Sequence, residues 1–145
     1  MKGNIMSVQE NKVTLQRAAE QFNNTQQRSA WFAIHDPSVV AMGLSPKPLD
    51  LDGLKRFYDG LWKAFPDLRI TIEDIVGEGE TVAWRLSVTG THEAEFRGVA
   101  PTGKKVAFTA QYVFRFRNGK IVERWTNLDR LGVLIQLGAV PAPPV

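Results

Sequence analysis

The apolar positions change period along the chain, and the change divides it in two. In the first half they recur at helical spacing. Leu15, Ala18, Ala19 and Phe22 stand at i, i+3, i+4 and i+7, one face of an amphipathic helix. Asn23-Asn24-Thr25 interrupts that face and offers caps for a short second helix through Ala30, Trp31, Phe32 and Ile34. His35-Asp36-Pro37 stops it, because the residue before a proline is pushed out of the helical region. Asp50 is the N-cap of a third helix with an apolar face of Leu51, Leu54, Tyr58, Leu61 and Phe65, ended at Pro66-Asp67.

From Leu68 onward the period is two. Leu68, Ile70 and Ile72 alternate with polar neighbours, and Gly77-Glu78-Gly79-Glu80 makes a turn. Val82, Trp84, Leu86 and Val88 form one face of a second strand, and Ala83, Arg85, Ser87 and Thr89 form the other. Gly90 to Gly103 is an excursion. Val106 to Arg117 is a long strand, joined to its partner, Lys120 to Asn127, by the hairpin pair Asn118-Gly119. Leu131 to Leu137 is a last short helix, with Gly138 to end it. Helices followed by a meander of strands predict an α+β domain, a curved antiparallel sheet with N-terminal helices over one face. Such a sheet encloses a cone-shaped cavity, which is a small-molecule site by default. Residues 1–9 read as a polar tail, 10–140 as the domain, and 141–145 as a Pro-rich tail.

Composition narrows the function classes. The 145 residues make one domain. Zero cysteines exclude a disulfide scaffold, thiolate metal sites and a cysteine nucleophile. The net charge of +3 is small and its basic residues are scattered, so no nucleic-acid partner is expected. No run approaches the ~18 apolar residues of a membrane span, and the N-terminus shows no apolar signal region. The expectation is a cytoplasmic protein with no membrane partner.

Few side chains carry chemistry. The two histidines, His35 and His92, show no metal-ligand spacing, so no metal is expected. His35 reads as a helix-end residue, and His92 as either a loop residue or an acid–base group. Arg85 lies between Trp84 and Leu86 in a strand that should be central. On the inner face it would need a ligand oxygen or a carboxylate, Glu123 or Asp129; on the outer face it would be solvated. Asp129, just before the last helix, reads as its N-cap rather than as a catalytic acid.

The stretch from Gly90-Thr91-His92-Glu93 through Gly98-Val99-Ala100-Pro101-Thr102-Gly103, then Phe114-Arg115-Phe116, Asn118-Gly119-Lys120, Trp125 and Asp129-Arg130-Leu131-Gly132, resembles the SnoaL-like polyketide cyclase family. Phe65-Pro66-Asp67-Leu68 and Glu73-Asp74 fit the same pattern, and the likeness runs from about His35 to Val140. The resemblance implies the NTF2-like cone-shaped barrel and a cofactor-independent enzyme that closes a ring in a polyketide. It also implies departures. The family's acidic residue after the tryptophan of the last strand falls on Thr126, and its histidine of the preceding strand falls on Tyr112. Threonine has no usable pKa near neutrality, whereas tyrosine can donate a hydrogen bond to a developing enolate. In the related epoxide hydrolases the arginine is matched by Arg85. Their two aspartates fall on Ser87 and Thr126, and their tyrosine and asparagine on Val39 and Ala41, so epoxide hydrolysis by that mechanism is not expected.

The same placement gives catalytic candidates Arg85, Tyr112 and Thr126, and a lining of Val39, Ala41, Ser87, Phe108, Ala110 and Leu128. Phe108 and Tyr112 could instead plug the cone. Two functions stay open: a cyclase acting on an apolar small molecule by confinement, or an NTF2-like domain that binds one without turnover. A homodimer is expected, because a sheet apolar on the Trp84 face as well as the pocket face needs a second cover.

Overall fold

The computed structural model describes residues 7–144; residues 1–6, the greater part of the expected N-terminal tail, and Val145 lie outside the described residues. Helix α1 (Val8–Phe22) takes in Val8 and Gln9, which the pattern assigned to the tail. A reciprocal capping box explains the early start: the Glu10 N–H donates to Ser7 Oγ, and the Ser7 N–H donates to the Glu10 carboxylate. Helix α2 is a single turn, Ala30–Ala33. Helix α3 (Leu51–Ala64) starts at the expected cap, with Gly53 N–H donating to Asp50 at 2.8 Å. Residues 141–144 form no helix or strand.

Five strands, the first of them between α2 and α3, form an open, curved sheet in the order β1-β5-β4-β3-β2. They are β1 (His35–Met42), β2 (Arg69–Glu78), β3 (Thr81–Thr91), β4 (Lys105–Arg117) and β5 (Lys120–Leu128). Strands β2 to β5 are the expected antiparallel meander. β1 was not foreseen. It runs parallel to β5, from His35 opposite Ile121 to Met42 opposite Trp125, so the sheet is mixed rather than wholly antiparallel. Pro37 is tolerated there because β1 is an edge strand, and it falls where the register slips between His35 and Val40. The hairpin between β4 and β5 turns at Asn118 (φ 51°) and Gly119 (φ 77°), as the pair demands. Helix α4 (Arg130–Gln136) closes the described chain and ends at Gly138 (φ 79°).

The inner face of the sheet takes Val82, Trp84, Leu86 and Val88 from β3 and Ala110, Tyr112, Phe114 and Phe116 from β4, all buried. The helices lay Phe22, Trp31, Tyr58 and Trp62 against them. Trp31 and Trp84 stack in parallel, 6.0 Å between centroids. This reverses the expected faces of β3. Trp84 points inward and Arg85 outward, because the four apolar side chains of β3 gain more by leaving water than one arginine does.

Candidate functional site

The interior of the cone is built around an arginine that the pattern did not single out. Arg124 of β5 is fully buried. Its Nη1 donates to His35 Nε2 at 3.0 Å, and its Nη2 to Tyr58 Oη at 2.7 Å and Thr126 Oγ1 at 3.3 Å. Four ring faces surround the guanidinium: Tyr112 with its centroid at 5.1 Å, Phe114 at 5.5 Å, and Trp31 and Tyr58 at 5.6 Å each. No carboxylate is paired with it; among the described residues the salt bridges are Arg85–Asp74 and Arg115–Glu123. The charge is therefore held by neutral acceptors and by the negative faces of aromatic rings.

These neighbours respond to the cation. Arginine only donates, so His35 Nε2 accepts and the ring is neutral with its proton on Nδ1. Burial, and then the charge of Arg124, lower the His35 pKa to about 3. The carbonyls of Trp31 and Phe32 oppose this weakly, and neither meets Nδ1 in full hydrogen-bond geometry. Burial pushes the Tyr112 hydroxyl well above its usual value, against the pull of Arg124. Tyr112 is thus a proton donor in the cone and not a base.

The sequence carried a signal for Arg124. Period two places Arg124, Thr126 and Leu128 on one face of β5, so the placement of Thr126 inside implied Arg124 beside it. The registers Tyr112 opposite Thr126 and Phe114 opposite Arg124 bring the group together.

The other expected residues divide. Val39, Ala41, Ala110, Tyr112 and Thr126 are on the inner face and buried, but they are packed into the core. Arg85 is a correction: it sits on the outer face with its side chain 46% exposed, 2.7 Å from Asp74, and neither Glu123 nor Asp129 is its partner. Ser87 shares that outer face and bonds Glu73 at 3.2 Å. Glu123 pairs with Arg115 at 3.1 Å. Asp129 caps α4 by accepting from Gly132 N–H at 2.9 Å, as expected. His35 is not a helix cap; it begins β1 and accepts from Arg124. His92 is buried and holds the excursion of residues 92–104 in place, its Nδ1 accepting the Thr102 N–H at 3.2 Å.

The enclosed apolar pocket lies at the mouth of the cone. Phe57, Leu61 and Phe65 of α3 form one wall, and Phe108 and Leu128 of the sheet form another. Val133 with Asp129 and Arg130 of the last helix makes the third, and Phe96 and Arg97 of the excursion roof it. Phe96 packs edge-on to Phe65, with the ring centroids 5.2 Å apart. The free volume left is about 20 Å³, room for roughly one water molecule. Beside the roof opens a wider cleft of about 390 Å³ that includes Leu44, Leu49, Arg56, Phe57 and Arg97. Arg97 and Phe57 belong to both spaces. Among the described residues no three or more metal-ligating side chains gather, and no helix is long and apolar enough to cross a membrane.

The model of a family described as SnoaL-like polyketide cyclase matches residues 13–137. AclR from Streptomyces galilaeus, a hydroxylase candidate, shares 31% identity at a TM-score of 0.86, over 95% of this chain and 87% of that one. IdmH from Streptomyces antibioticus, a polyketide cyclase candidate, shares 33% identity at a TM-score of 0.76, over 88% of this chain and 98% of that one. A SnoaL-like cyclase candidate from Jannaschia sp. CCS1, 24% identical, superposes at a TM-score of 0.81 over 96% of this chain and 100% of its own, which speaks to the fold alone. No curated protein matches.

Proposed function

Because the chain belongs to the SnoaL-like polyketide cyclase family, we propose that it is a cofactor-independent, cyclase-like enzyme that takes an apolar small molecule at the mouth of the cone and promotes ring closure within it. The observation that carries this reading is the enclosed apolar pocket between α3, the sheet and the excursion, where the Phe96 roof must shift for a substrate to enter. From the mouth inward the inner face of β4 runs Phe108, Ala110, Tyr112, while β5 runs Leu128, Thr126, Arg124. Ala110 is small, so a substrate end that passes it meets the hydroxyls of Tyr112 and Thr126. Tyr112 donates to the carbonyl oxygen that is attacked in the ring closure as negative charge develops on it, and the proton lost from the acidic carbon between two ketones leaves to water. The larger share of the rate comes from folding a flexible chain into a reactive shape, which can remove about 7–11 kcal/mol of barrier.

A second reading, binding without turnover, draws on one observation: the polar groups gathered around the buried guanidinium are His35, Tyr58 and Thr126, with no carboxylate among them. The fold also carries more than one assigned chemistry among its relatives, hydroxylase for AclR and cyclase for IdmH. Incubation with a linear poly-β-ketone methyl ester, followed by mass and absorbance, separates the two. Ring closure faster than the uncatalysed rate, reduced about 100-fold in Tyr112→Phe, supports the enzyme. Saturable binding with no product supports the second reading, and absence of binding overturns both.

A further inference from the structure

Two turns in this molecule have the same backbone and different residues. Asn118-Gly119 joins β4 to β5 with φ of 51° and 77°. Arg97-Gly98, in the excursion, has φ of 49° and 81°, and its flanking residues Phe96 and Val99 exchange both backbone hydrogen bonds, at 3.0 and 2.8 Å. Both are two-residue hairpin turns in which each central residue is left-handed, a geometry that favours Asn-Gly. An arginine there works against its own backbone preference. The molecule uses asparagine where only the turn matters and arginine where the side chain lies at the mouth of the cone. Strain kept at a concave site is an indication of function.

The surroundings of Arg97 say what that function is. Its guanidinium sits over the Phe96 ring at 5.7 Å and borders both the enclosed apolar pocket and the open cleft. Arg130 borders the same pocket and Arg56 the same cleft. Arg130 donates to the carbonyls of Gly43 and Leu44 and shares the wall of the enclosed pocket with Arg97; burial, and then the charge of Arg97, lower its pKa. Among the described residues none of the three has a carboxylate partner. Two acids stand close by and neither pairs with an arginine: Glu95 accepts from Gly98 N–H within the turn, and Asp129, in the pocket wall, accepts from Gly132 N–H. Three cations around an apolar opening, one of them held in a strained turn, are complementary to an anion with an apolar body.

We propose that the mouth of the cone recognises an amphipathic carboxylate: the apolar body enters between Phe57 and Phe96, and the carboxylate remains in the open cleft on Arg97, supported by Arg56 and Arg130. This rests on the reading of the mouth as a small-molecule site and adds the charge of the substrate to it. The test compares 2-naphthoate with its neutral methyl ester by isothermal titration on the wild-type chain and on Arg97→Asn, with thermal unfolding of both. The expected result is naphthoate binding about tenfold tighter than the ester at low salt, a preference that fades as salt is raised. In Arg97→Asn the preference should vanish while the melting temperature stays level or rises, because asparagine suits the turn. A purely structural arginine would instead lower the melting temperature. Equal binding of acid and ester overturns the carboxylate proposal and leaves the small-molecule reading intact. A preference that survives in Arg97→Asn, or a variant that fails to fold, overturns the role of Arg97. Binding of neither probe overturns both.

Discussion

At the scale of single residues, one buried charge governs the interior. Arg124 is legible in the sequence only through its neighbours on β5, because a composition or motif reading sees one arginine among many. What was not legible is its partner. His35 stands 89 positions away and looks like a helix stop, and only the parallel pairing of β1 with β5 brings its ring to Nη1. The pair has a pH consequence. The His35 pKa is about 3 in the folded chain, against an ordinary 6.5. Between those values the unfolded chain binds a proton that the folded chain does not, so stability falls as the pH falls through that window and is unaffected by His35 above it. From pH 6.5 to 5 the expected loss is at most about 2 kcal/mol, before most carboxylates begin to titrate. Urea unfolding at these two pH values should show it, and His35→Gln, which keeps an acceptor for Arg124 but cannot be protonated, should flatten the dependence. A His35→Gln chain as acid-sensitive as the wild type would show that His35 is not the group responsible.

At the scale of elements, the strands and caps were largely readable and the exceptions have physical causes. Period two marks two faces of β3 but not which one is inside. Placing Arg85 inward by family likeness set aside the stronger rule that Val82, Trp84, Leu86 and Val88 must be buried together. β1 is not legible in the sequence, because Pro37 and the polar Asp36 and Ser38 break its alternation, as an edge strand allows. Caps depend only on neighbours in sequence, which is why Asp50 and Asp129 were found. Asp129 holds α4 through the Gly132 N–H, and a side chain at Gly132 would press on that carboxylate. Asp129→Ala should therefore cost ~1 kcal/mol in denaturant unfolding while Asp129→Asn costs little. Equal losses from the two would mean that the negative charge, rather than the hydrogen bond, is what α4 needs.

At the scale of the whole molecule, the question is what covers the outer face of the sheet. Trp84 needs no cover there, since its ring is inside, but the face is not merely polar. Val76 is 62% and Val113 39% exposed, and with Ala83 and Trp125 they line a shallow depression of about 290 Å³. The ion pairs Arg85–Asp74 and Arg115–Glu123 stand on that face, so it offers charges of both signs, which a two-fold axis can match to themselves. We propose that a second copy covers it. Sedimentation at micromolar concentration should show a dimer, and Val113→Glu a monomer; a wild-type monomer under those conditions would end the proposal. The parallel pairing of His35 with Ile121 also bears on how the chain comes to be folded. Every other neighbouring pair of strands joins consecutive segments, but this one must close a loop of most of the domain, a slow step because its entropy is lost before any contact repays it. During synthesis at ~5–20 residues per second, β1 waits roughly 4–17 s for β5 to be made. Until then Trp31 and Tyr58 have no guanidinium between them, and Pro37 at the open edge hinders premature pairing with a stranger.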